Sequence, residues 1–152
     1  MLSEKQTETL AGELAEIIAR LFTQCQEKDA RHVAQYGVSI VESRCLRILY
    51  DDKELTVNQL AQKMSITSGR VTRIIDGLAA KNFVIRRVNK LDRRIYYMVL
   101  TNQGENLAKQ LAEDHIKIHE AILSRIPEQN RRQMIDFLHK LNAAMDDWIK
   151  SE

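Results

Sequence analysis

Apolar residues recur along most of this chain at spacings of three and four, the period of amphipathic helices. Residues 4 to about 28 place Leu10, Leu14, Ile17, Ile18, Leu21, Phe22 and Cys25 on one face, which predicts a long first helix whose far face is charged. An irregular stretch ending near Gly37 follows. Ser39 and Glu42 then form the Ser-x-x-Glu pattern of a capping box, opening a second helix to about Tyr50. Asp51-Asp52-Lys53-Glu54 reads as a polar turn. Thr56 and Gln59 repeat the capping signature before a short stripe of Leu60, Ala61 and Met64. Thr67 caps a fourth helix with Val71, Ile74, Ile75 and Leu78 facing inward.

At Phe83 the period changes to two. Val84, Arg86 and Val88 alternate with Ile85 and Arg87, and Ile95, Tyr97 and Val99 alternate with Tyr96, Met98 and Leu100. Two strands therefore flank a tip at Asn89–Arg94. Thr101 caps a fifth helix bearing Leu107, Leu111, Ile118 and Ile122. Pro127 opens a sixth bearing Met134, Ile135, Leu138, Leu141, Met145, Trp148 and Ile149. The fold class is mostly α, a winged helix-turn-helix with a two-strand wing and long terminal helices. The predicted organisation is a winged helix-turn-helix over 37–101, with dimerisation helices over 1–36 and 102–152. So small a central domain cannot hide both terminal stripes, so they are expected to pack together and against a second copy in a homodimer, with a simple intramolecular bundle as the alternative.

Composition sharpens this picture in one place. The chain of 152 residues carries a net charge of only +2. Residues 68–94, however, hold eight Lys and Arg against Asp76 and Asp92, a local +6 that leaves −4 elsewhere. A basic island in an otherwise acidic protein is the footprint of a focal contact with phosphates. The N-terminus has no basic run followed by an apolar core, and no window approaches a spanning length. Neither a signal peptide nor a membrane contact is expected, and the location is expected to be cytoplasmic. Cys25 and Cys45 lack CxxC spacing and are expected to be free thiols.

A helix lying in the major groove must offer short polar and basic side chains on its first turns, where base edges come within reach. Ser68, Gly69, Arg70, Thr72 and Arg73 answer that description, with Arg70 expected to read a base and Arg73 to hold backbone. The basic tip supplies Lys90, Arg93 and Arg94 for the minor groove, whose negative potential attracts guanidinium groups. Asp92 is expected to brace a neighbouring guanidinium rather than to touch DNA. Singly, each of these residues is ordinary solvated surface. Their ordered combination with a capped helix, a turn and a hairpin points to double-stranded DNA as the partner.

The run Leu60-Ala61…Met64, Val71 to Leu78, Asn82 to Arg87, and Asp92-Arg93-Arg94…Val99-Leu100-Thr101-x-x-Gly104 resembles the MarR family of bacterial transcription regulators. The resemblance extends over nearly the whole chain, since the flanking helices match in order and length. It implies a homodimer with two winged helices on a pseudo-palindromic operator, usually a repressor released by a small ligand or by oxidation. Asp92 and Arg94 match the wing signature, and Ser68 to Arg73 the recognition helix. Serine stands at position 68 where the family often has proline.

The resemblance also implies ways to switch such a protein. One is a small aromatic effector in the crevice between the dimerisation helices and the winged helix. Another is a reactive cysteine near the start of the first helix, whereas Cys25 lies late in that helix on its apolar stripe and reads as an inert core thiol. A third rests on His115 and His119, one turn apart and able to face one ion. Glu27 and Cys45 would complete four zinc ligands, similar to the family's zinc-sensing branch, with Cys45 where that branch usually has histidine. Zinc would then act as corepressor, and no cofactor is otherwise required. Two rivals come from other classes. A metal hydrolase using His115, His119 and Asp114 lacks HExxH, a nucleophile motif and a phosphate loop, so the chain is not expected to be an enzyme. A winged-helix protein-interaction module would show no salt-sensitive DNA affinity.

Overall fold

The computed structural model describes residues 3–151, with residue 4 described in its backbone only. The described residues form helices α1 (Glu4–Ala34), α2 (Ile40–Asp52), α3 (Val57–Met64), α4 (Ser68–Ala80), α5 (Asn102–Leu123) and α6 (Glu128–Ser151) and three short strands, β1 (Glu54–Leu55), β2 (Val84–Val88) and β3 (Tyr96–Leu100). The chain is mostly α, as expected. It divides into two compact units, Met1–Ala112 and Glu113–Glu152.

Capping places the helix starts. Ser39 Oγ accepts the Glu42 amide while Glu42 Oε2 accepts the Ser39 amide at 2.8 Å, and Thr56 and Gln59 repeat the exchange at α3. Each exchange satisfies two amides that have no partner within the helix. Ser65, with φ +55°, ends α3 in a left-handed turn, and Thr67 Oγ1 accepts the Arg70 amide to start α4. Two boundaries differ from the expectation. α1 continues six residues past position 28 to Ala34, because His32 and Val33 bury themselves against the core, and the irregular stretch shrinks to a turn at Gly37 (φ +67°). The expected polar turn at 51–54 is instead the last turn of α2, then Lys53 at φ +69°, then the start of β1.

That strand makes the sheet three-stranded in the order β1-β3-β2, all antiparallel. Val84 faces Leu100, Arg86 faces Met98 and Val88 faces Tyr96, while Glu54 faces Val99. A two-residue strand carries no period to read, so only the tertiary partner Val99 could have revealed it. Val84, Met98 and Leu100 turn into a core built by Leu46 and Leu49 of α2, Leu60 and Met64 of α3, Val71, Ile75 and Leu78 of α4, and Leu107 and Leu111 of α5. The inner face of α4 is thereby clamped from both sides, which fixes what its outer face presents.

The first unit leaves one long surface uncovered. Leu10, Leu14, Ile17, Leu21 and Phe22 of α1 are all exposed. Cys25, expected to be a core thiol, is exposed on the same helix. In the second unit α6 buries no residue at all, and Phe137, Trp148 and Ile149 are each about as exposed, at 58%, 66% and 63%. Among the described residues no helix is long and apolar enough to cross a membrane.

Candidate nucleic-acid interface

The outer face of α4 shows Ser68, Gly69, Arg70 and Arg73 to solvent, with Thr72 half-buried. Their hydrogen bonding defines what they can offer. Ser68 donates its hydroxyl proton to Asn58 Oδ1 of α3 at 2.8 Å, and Thr72 donates its own to the Ser68 carbonyl at 3.0 Å. Both hydroxyls are left as acceptors, suited to the exocyclic amino groups of adenine or cytosine rather than to phosphate. Arg70 and Arg73 supply the donors. A methyl group added at Gly69 would meet nothing of this chain within 4 Å, so no internal contact demands glycine there.

The wing tip is held by side-chain carbonyls. Asn89 Oδ1 accepts the Leu91 amide at 2.7 Å and the Asp92 amide at 3.3 Å, and the Asn89 amide donates to the Ile95 carbonyl at 2.9 Å. Asp92 Oδ1 in turn accepts the Arg94 amide at 3.0 Å and Arg94 Nε at 3.2 Å. The backbone bond from Arg94, then the bond from its side chain, hold the Asp92 carboxyl below its usual range. Arg94 itself stays 91% exposed. Asp92 therefore sits against the guanidinium of Arg94, two residues on. Asn89 was missed, although asparagine opening a tight tip is a recognisable turn signal.

Charge within 68–94 is less uniform than composition implies. Lys81 donates to Glu42 at 2.8 Å and to the Gly37 carbonyl at 2.9 Å. Arg86 of β2 pairs with Asp76 of α4, and Arg87 pairs with Glu54 across the sheet. Surface pairs of this kind contribute about 0–1 kcal/mol each. Their larger effect here is geometric, because Asp76–Arg86 joins the recognition helix to the wing strand. Among the described residues Arg70, Arg73, Lys90 and Arg93 make no ion pair, so the uncompensated charge lies at two places, the exposed turns of α4 and the wing tip.

The four residues considered for zinc stand differently. Cys45 is fully buried, and desolvation, then the nearby Glu42 charge, push its thiol up to about 12. Cys45 packs in the core with Leu46 and Leu49. Glu27 is exposed and paired with Arg31 on its own helix. In the second unit the His115 and His119 rings lie 4.3 Å apart, with His119 Nδ1 2.7 Å from the His115 carbonyl. Among the described residues no three His, Cys, Asp or Glu side chains form a group able to hold a metal ion.

A capped helix, a turn, a second helix with a polar outer face and a basic two-strand wing define a winged helix-turn-helix. Residues 38–96, the segment that holds this winged helix-turn-helix, match the model of the MarR family. The HTH-type transcriptional regulator MhqR of Bacillus subtilis is 22% identical over 125 residues, covering 82% of this chain and 86% of the relative. The HTH-type transcriptional repressor MdtR of the same organism is 25% identical over 142 residues, covering 93% and 92%. Among solved structures, FabT of Streptococcus pneumoniae in complex with DNA has the same fold, with a TM-score of 0.76 at 21% identity, covering 91% of this chain and 99% of that one.

Proposed function

We propose that this protein is a homodimeric, cytoplasmic DNA-binding regulator that represses transcription from a pseudo-palindromic operator and is released by a small ligand. The observation that carries the reading is the concentration of unpaired cations at the outer turns of α4 and at the wing tip, the two places a winged helix brings to adjacent grooves. Arg70 is assigned to base edges, with Ser68 and Thr72 accepting from amino groups, and Arg73 to phosphate. Lys90, Arg93 and Arg94 serve the minor groove, with Asp92 orienting Arg94. The uncovered stripe of α1 and the unburied α6 support a second copy as their cover. A relative that carries the word repressor and a fold relative solved on DNA support the direction and the partner.

The roles separate on titration of a duplex that the wild-type protein enriches from a randomised pool. Arg94→Ala is expected to weaken binding to every duplex and to lower the slope of log affinity against log salt by about 0.9 per chain. Arg70→Ala is expected to cost about 1–3 kcal/mol and to flatten preference at one base position per half-site. Unchanged affinity of Arg94→Ala across the salt series would remove the wing from the interface.

A further inference from the structure

Among the described residues the most exposed large apolar side chain is that of Leu91, 98% exposed at the tip of the wing. A single exposed leucine needs no partner. Its setting is what singles it out. Lys90 precedes it, Arg93 and Arg94 follow, and Asn89 Oδ1 grips its amide at 2.7 Å. The tip is closed behind it by Asn89 N–H to the Ile95 carbonyl and by Ile95 N–H to the Asp92 carbonyl at 3.0 Å. A methyl-bearing side chain thus stands exposed on a preorganised turn, flanked in sequence by cations.

We infer that Leu91 is a DNA-contacting residue that enters the minor groove between the wing's cations and makes the wing selective for A·T over G·C steps. The inference rests on the DNA-binding reading above and deepens it. The sugar walls of the minor groove are apolar, and apolar side chains are regular minor-groove wedges. At A·T steps the floor carries no amino group. At G·C steps the guanine N2 amino group stands up from it, and a leucine covering that donor strips its water without returning a hydrogen bond. A narrow A·T-rich groove also strengthens the pull on the flanking cations, so charge and shape act together. Arginine alone would read width and potential; the leucine adds a steric and desolvation test of the floor.

The test uses the full-length protein and a short duplex enriched by the wild type, in three forms: with A·T pairs in the flank facing the wing, with G·C pairs there, and with inosine replacing those guanines. Inosine deletes the N2 amino group and leaves the major-groove pattern of a G·C pair. The wild type is expected to bind the A·T and inosine forms alike and the G·C form more weakly. Leu91→Ala is expected to lose about tenfold on the A·T form, to keep the salt slope, and to discriminate against the G·C form less than the wild type does, retaining only the width preference of the cations. Leu91→Met should retain most of the wild-type pattern. Leu91→Ala that binds and discriminates as the wild type does, or loses affinity with a lowered salt slope, overturns the role of Leu91 while DNA binding stands. A wild type that enriches no duplex overturns both.

Discussion

Gly104 shows how one residue can be fixed by what it approaches. A methyl group placed there would lie 2.0 Å from the Phe83 carbonyl oxygen, a backbone atom that cannot step aside. The approach is made by Thr101, whose hydroxyl donates to the Asn82 carbonyl at 2.8 Å and accepts the Gly104 amide at 3.0 Å. Together they fasten the start of α5 to the turn that ends α4. Gly104→Ala is therefore expected to destabilise the protein by about 1–3 kcal/mol or more, read as a fall in urea midpoint with unchanged slope. The Thr-x-x-Gly spacing stands in the sequence, but the reason for the glycine lies nineteen or more residues upstream and is visible only once the chain folds. The same holds at the interface. Ser68, Arg70 and Arg73 are legible from the position of a capped helix, whereas the bond from Ser68 to Asn58 joins two helices and leaves no local pattern.

At the scale of elements, the capping residues were the most readable signals, since Ser39, Thr56, Thr67 and Thr101 each act within three residues of themselves. Strand β1 and the last turns of α1 were not readable, because pairing with β3 and burial of His32 and Val33 override a weak local pattern. Glu42 links two of these scales. It caps α2 and also receives Lys81, which follows α4, so the start of one helix holds the end of the recognition helix. Burial pushes its carboxyl up, but the bonds from Lys81 and Ser39 and the Lys81 charge more than offset this, so it titrates below its usual 4.5. A carboxyl lowered on folding adds stability that is present above 4.5 and is lost as pH falls through the folded value. Glu42→Gln should thus cost about 1 kcal/mol at neutral pH and progressively less under acid, so that the two unfolding curves converge as the wild-type carboxyl protonates. A constant difference from neutral pH into acid would mean that charge plays no part in this junction.

For the molecule as a whole, a modest net charge conceals a division of labour. Within residues 68–94, Lys81, Arg86 and Arg87 are spent on Glu42, Asp76 and Glu54 inside the scaffold, and Arg70, Arg73, Lys90 and Arg93, which make no ion pair, lie on the outer turns of α4 and at the wing tip. Apolar surface is divided in the same way. The core closes around α4, while α1 and α6 each keep an uncovered face for which a second copy is the proposed cover. The periodicity made both terminal stripes legible from the sequence, but a stripe does not name what covers it. Whether two such chains read one duplex is decided by titration of the wild-type protein against an enriched duplex and a scrambled one over a salt series. Two chains per duplex are expected, with tight binding of the enriched sequence only and a log–log salt slope steep enough for several phosphate contacts per chain. Equal, salt-insensitive affinity for both duplexes, or one chain per site, would contradict this reading.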